Sequence, residues 1–281
     1  MRKTLSIALI ACLILALGLA AGCGQQAEQT DPDKQAGKTP EKQATEKLVV
    51  GAIGEPHTAM LKMVKPKLAE QGVEMEIKDF TDYPQLNPAL NDKQIDANFF
   101  QHIPYLEDFN AKTNSKLVWT VKIHTEPMRI YSQKIDKLDK LADGAIVGIP
   151  NDPTNSGRAL AVLQSAGLIK LKEDAGVTAT ERDIVENPKN LEIKMADAAT
   201  LPRVLQDAAI CCINTNYALD AGLDPAKAVF VEPGDSPFAN VVVVRPEDKD
   251  KDSIVKLGKA LQSPEIADFL KTNYPAVVLA F

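Results

Sequence analysis

The feature that most constrains the fold is an alternation. Short β-rich runs, KLVVGAI, MEIKDF, AIVGIP, LEIKMA and AAICCIN, are separated by stretches of helical pattern such as Ala59 to Gln71, Arg158 to Ile169 and Leu201 to Asp207. Strands alternating with helices are covered on both faces, which predicts an α/β fold of mostly parallel sheet flanked by helices. The punctuation agrees: Gly72, Gly167 and Gly222 stand where helices should stop, and Pro84 where one should start. Pro66 falls inside the first helical stretch and is expected to kink or split it.

Two longer apolar segments, LVWTVKIHTEPMRIYS and AVFVEPGDSPFANVVVVRP, flank a central strand-helix block of about a hundred residues. Two crossings between two lobes account for both. The expectation is a discontinuous first lobe, residues 47–133 plus 232–281, and a second lobe of residues 134–231.

Ahead of this body, Arg2 and Lys3 precede an apolar stretch from Leu5 to Ala21 that ends at Gly22-Cys23 and gives way to polar sequence. That is the layout of an export signal over residues 1–22. The stretch is below the roughly 20 apolar residues of a spanning helix and ends in small residues. Ala20, Ala21 and Gly22 before Cys23 resemble a bacterial lipobox, although Leu19 stands four residues before the cysteine where the pattern prefers three. The resemblance implies a lipid anchor, with palmitate, on Cys23. Residues 23–46 contain almost no large apolar side chain, so ordering them would bury too little surface to offset the entropy. A flexible tether is expected there.

Removing the signal takes two positive charges from the formal net charge of -6, and no long basic block remains. This argues against a nucleic-acid partner. Of four cysteines, Cys12 and Cys23 fall in the signal and anchor, leaving the adjacent Cys211 and Cys212. They read as small apolar residues of a buried strand, with no disulfide framework. An enzyme would need one of these thiols beside His57, His102 or His124, and nothing local resembles such a site. The three histidines show no close ligand spacing, so neither a metal nor another cofactor is expected.

Three regions carry candidate binding chemistry. In AIVGIP-NDPTNSG-RALAVLQSAGLI a strand and a polar loop precede a helix expected to start near Gly157, with Arg158 in its first turn. Free backbone N–H groups and a two-pronged guanidinium suit a carboxylate. An ordinary surface arginine beside a capped helix fits the same residues. Tyr83 and the run from Asp96 to Tyr105, with Phe99, Phe100 and His102, concentrate aromatics in a chain where Phe, Trp and Tyr make up 5%. They suit either a slot for an apolar or thioether side chain or plain core packing. Asn214, at the end of AAICCIN, sits where α/β sheets present ligand-binding groups, and would also serve as a helix cap.

Taken together, VGAIGEPHTAML, FTDYPQLNPAL, DANFFQHIPYL, IPNDPTNSGRAL, DIVENPKNL and INTNYALDAGL resemble the NlpA-type lipoprotein family, the methionine-binding receptors of ABC importers. The words occur in the family's order and cover nearly the whole body. The resemblance implies a two-lobed periplasmic-binding-protein-like fold with two hinge crossings, closing on an amino acid. It implies that Tyr83, Phe100, His102 and Tyr105 line the thioether slot. Arg158 would clamp the α-carboxylate, and Asn151 and Asn214 would complete the polar end. Phe99 and His124 are weaker assignments, His124 either facing ligand or stiffening the hinge. The implied partners are L- or D-methionine and the membrane subunits of the importer. The chain would act as a monomer on the extracytoplasmic face of the cell membrane, not as an enzyme. Alternatives are a receptor for a methionine-containing dipeptide or another small amino acid, or a metal-binding lipoprotein.

Overall fold

The computed structural model describes residues 45–281 apart from 235 and 236. The expected signal, Cys23 and the tether up to residue 44 lie outside the described residues.

The chain runs through β1 (Glu46–Ala52), α1 (His57–Glu70), β2 (Val73–Asp79), α2 (Leu86–Asn91), β3 (Ala97–His102), α3 (Ile103–Thr113) and β4 (Val118–Thr125). It continues through β5 (Arg129–Tyr131), β6 (Ile146–Pro150), α4 (Pro153–Ser165), β7 (Lys170–Leu171), β8 (Ile184–Glu186) and β9 (Glu192–Ala196). Then come α5 (Leu201–Val204), β10 (Ile210–Ile213), α6 (Thr215–Asp220) and β11 (Phe230–Val231). The return is made by β12 (Ala239–Val244), α7 (Asp252–Leu261), α8 (Pro264–Asn273) and β13 (Val278–Leu279).

Two sheets organise two lobes. The first has the order β13-β4-β12-β3-β1-β2 and the second β11-β5-β10-β6-β9, while β7 and β8 form a small separate ribbon. Pairing is parallel along β2-β1-β3 and β10-β6-β9, where helices carry the chain between strands. Strands next to the crossings run antiparallel, β12 against β3 and β4, and β5 against β10 and β11. Both sheets are therefore mixed.

The first crossing is residues 126–128, because β4 ends at Thr125 and β5 already pairs in the second sheet from Arg129. The boundary expected at 133 lies past β5. Both strands share one extended apolar run, and nothing local in it marks the change of sheet. The second crossing falls between β11, which ends at Val231, and β12, which starts at Ala239.

In the first lobe, Val50, Met60, Leu61, Phe99, Ile123 and Val242 are wholly buried between sheet and helices. Val147, Ile149, Leu160, Leu163 and Ile210 do the same in the second. Each such side chain is worth about 1.5–3 kcal/mol of transfer free energy. Cys212 joins the second core, while Cys211 faces the cluster that contains Tyr83 and Phe100. Burial pushes the Cys211 thiol up to about 12 and raises Cys212 as well, so neither is a thiolate at neutral pH. α1 runs unbroken past Pro66, and Gly72, Gly167 and Gly222 all take the positive φ that a helix stop uses. Among the described residues, no helix is long and apolar enough to cross a membrane.

Candidate functional site

α4 starts earlier than its sequence pattern suggests. Pro153 occupies its first turn and Asp152 caps it, accepting from the Asn155 backbone N–H at 3.0 Å. Arg158 therefore lies in the second turn, and the helix N-terminus is filled by a carboxylate of its own chain. Gly157 is where the backbone of residues 177–179 rests on the helix: a Cβ there would come within 2.4 Å of the Val177 carbonyl oxygen and 2.7 Å of the Ala179 nitrogen.

Arg158 is 3% exposed and tightly held. Its Nε and Nη2 donate to the two Glu232 carboxylate oxygens at 2.9 and 2.5 Å, and Nη2 also donates to the Glu126 carbonyl at 2.7 Å. The Phe238 ring lies against the guanidinium, 4.3 Å from Cζ to the centroid. Nη1 takes part in none of these bonds, and Arg158 borders a pocket.

The pocket lies between the lobes. From the first come Tyr83, Phe100, Gln101, His102, Tyr105 and Asn240. The second supplies Asn155, Arg158, Asn214, Thr215 and Asn216, and Glu126 enters from the first crossing. Tyr83, Phe100 and Tyr105 form a triangle of rings with centroids 5.6 to 6.0 Å apart. That side is an apolar slot.

Hydrogen bonds fix the polar end. The Tyr105 backbone N–H donates to His102 Nδ1 at 3.2 Å, which leaves the ring proton on Nε2, 3.2 Å from Asn155 Oδ1. Asn155 Oδ1 also accepts from Asn214 Nδ2 at 2.8 Å. With its nitrogen used, Asn214 presents a buried Oδ1 that has no protein partner. Asn216 is its complement: Oδ1 accepts from the Tyr83 hydroxyl at 2.5 Å, and the buried Nδ2 has no partner. An orphan acceptor and an orphan donor thus border one cavity beside a guanidinium. Buried polar groups are normally satisfied, so this pair calls for a ligand that both accepts and donates.

Of the residues expected at the site, Tyr83, Phe100, His102, Tyr105, Arg158 and Asn214 line the pocket. Asn151 does not: its amide donates to Asp197 at an exposed position, and Asn155, one turn before Arg158, lines the pocket instead. Phe99 is wholly buried in the first-lobe core. His124 is also outside the pocket lining, bonded to Glu126 at 2.7 Å. Phe100 reaches the pocket through a bulge, because β12 pairs Val241 with Gln101 and Val242 with Phe99, skipping the residue between.

His57 and His124, far apart in the chain, meet at Glu126, and their ligand-type atoms lie within 4.8 Å of one another. The contacts are hydrogen-bonding distances, 2.7 Å from His124 Nε2 and 3.3 Å from His57 Nε2 to Glu126 Oε1. Burial pushes His57 down to about 4 and His102 down to about 3. The unfolded chain therefore takes up protons below about pH 6.5 that these folded imidazoles refuse, so stability falls as pH drops from 6.5 toward 4. Each contributes at most about 1.4 kcal/mol per pH unit. Ligand-free melting should be lower at pH 5 than at pH 7; equal melting points would contradict the buried neutral imidazoles.

Two sheets joined by two crossings, with a pocket lined from both, define the class of two-lobed solute-binding proteins. The chain belongs to the NlpA lipoprotein family, whose model matches residues 48–280. It is 43% identical over 268 residues to the D-methionine-binding lipoprotein MetQ of Salmonella typhimurium, covering 94% of this chain and 93% of the relative. Its Escherichia coli K12 counterpart of the same name is 42% identical over the same length. Among solved structures, a nutrient binding protein from Burkholderia cenocepacia bound to methionine superposes with a TM-score of 0.81 at 42% identity, over 83% of this chain and all of that one. The methionine binding protein MetQ gives 0.80 at 41% identity, over 84% of this chain and 98% of that one.

Proposed function

We propose that this chain is an extracytoplasmic lipoprotein, anchored through Cys23, that binds methionine between its lobes and delivers it to an ABC importer as a monomer. The observation that carries the reading is the buried pair Asn214 Oδ1 and Asn216 Nδ2 beside Arg158. An α-ammonium donates to the first, an α-carboxylate takes the second and Arg158 Nη1, and the thioether enters the triangle of Tyr83, Phe100 and Tyr105. Sulfur–ring contacts add about 0.3–1.5 kcal/mol each. His102, with both ring nitrogens bonded, orients Tyr105 and Asn155. Membership of a lipoprotein family supports the anchor, and the names of the methionine-binding relatives support the ligand.

The ligand bridges the lobes, so its contacts are complete only when they are together, which supplies the differential affinity that closure requires. Calorimetry on the body after Cys23, unfolded and refolded to strip carried-over ligand, tests the reading with L-methionine, D-methionine and glycyl-methionine. Tight binding of either free methionine is expected. Binding of the dipeptide alone would transfer the function to a peptide receptor, and silence from all three would overturn the ligand assignment.

A further inference from the structure

Glu126 is a residue that no motif in the sequence points to. It stands in the first crossing, 5% exposed, and is contacted from both lobes. From the first lobe, His124 Nε2 on β4 and His57 Nε2 on α1 both reach Oε1, at 2.7 and 3.3 Å. From the second, the Asn216 backbone N–H in the first turn of α6 donates to Oε2 at 3.1 Å. Arg158 Nη2 on α4 donates to its carbonyl oxygen. Asn240 on β12 completes the surround, with Oδ1 3.3 Å from His57 Nε2. Asn216 and Arg158 carry the polar end of the pocket, whereas His57 and His124 are rooted in the first-lobe core beside Phe99.

We propose that Glu126 is a positioning residue for ligand binding: its carboxylate ties α6 of the second lobe to His57 and His124 of the first and so holds the lobes closed around the bound amino acid. Burial alone would raise this carboxyl. The two imidazoles and Arg158 outweigh that and keep it below the usual carboxylate range, so the pin is an anion at neutral pH. Hydrogen bonds to an ion are roughly twice as strong as neutral ones. If opening parts α6 from the first-lobe histidines, it must break the bonds on one oxygen or the other and leave the anion under-satisfied. The cost falls on opening, so ligand residence time is the quantity Glu126 controls.

The inference rests on the methionine reading above, and Glu126→Gln separates the two. Glutamine matches glutamate in shape, but either orientation strands a donor. With its oxygen toward the imidazoles, its NH2 meets the Asn216 N–H. Turned the other way, it forces the imidazole protons onto the Nδ1 atoms, and that of His124 is buried with no acceptor. The full chain, purified in detergent, would be titrated with L- and D-methionine, with dissociation rate, ligand-free melting and hydrogen exchange at α6 measured alongside.

The expected result for Glu126→Gln is at least about tenfold weaker binding carried by faster dissociation, with association unchanged. Ligand-induced protection of the first turn of α6 should be lost and ligand-free melting close to that of the parent. A variant whose affinity and α6 protection match the parent's within about twofold overturns the proposal. Should Glu126→Gln fail to fold, Glu126→Asp, which keeps the charge at shorter reach, carries the same measurements. Failure of both assigns Glu126 to the core alone and also overturns it. Absence of methionine binding in the parent would instead sink the functional reading.

Discussion

Replacing Arg158 with alanine should weaken ligand binding by roughly 2–5 kcal/mol, the range for truncating one partner of a buried charge pair. In dissociation constant this is about thirtyfold to several thousandfold. Two losses combine. The ligand carboxylate loses its cation, and Glu232, whose side chain is 8% exposed, loses its two-pronged partner while keeping the Met128 backbone N–H at 2.9 Å. Arg158→Lys should recover little, since an ammonium can neither match both Glu232 oxygens nor lie flat against Phe238. Ligand-free melting separates the losses: the damage to Glu232 appears without ligand, and the missing carboxylate partner only in calorimetry. A loss under about tenfold would remove Arg158 from the site.

The parts of this fold legible in the sequence are those fixed locally. β1, β2, β6, β9 and β10 fall on the β-rich runs, and the glycine stops fall where backbone geometry demands them. Residue type and position are enough in the sequence to bring Tyr83, His102 and Arg158 to the pocket lining. Asn151, which the family resemblance implies, stands outside the pocket lining, and the sequence pattern starts α4 near Gly157 where the structure starts it at Pro153. An Asp-Pro step is a strong helix start, and placing it at Asp152 puts Asn155 three residues before Arg158, on the same face. The first hinge was misplaced because a change of sheet within one apolar run depends on distant partners. Glu126, Asn216 and Asn240 were missed for the same reason: each acquires its role only when residues some ninety or more positions away are brought alongside. No local pattern encodes that.

Phe99 and Phe100 offer the sharpest test of how β3 sorts its side chains, because neighbours with the same chemistry should fail in different assays. Phe99 is wholly buried, packed with Met60, Ile123 and Val242 and edge-on to His57 at 4.8 Å. Phe99→Ala should cost about 3–5 kcal/mol of folding stability, the usual loss for a buried phenylalanine. It should move methionine affinity far less, since the side chain does not line the pocket. Phe100, turned outward by the bulge, is one of the three rings of the slot. Phe100→Ala should therefore weaken methionine binding more than Phe99→Ala does, through the lost sulfur–ring contact and the lost apolar wall. Denaturant unfolding of ligand-free protein and calorimetry on the folded fraction give the two numbers for each variant. If Phe99→Ala proves the more damaging to affinity while leaving stability near the parent's, the bulge does not aim Phe100, and the slot belongs to the other face of the strand.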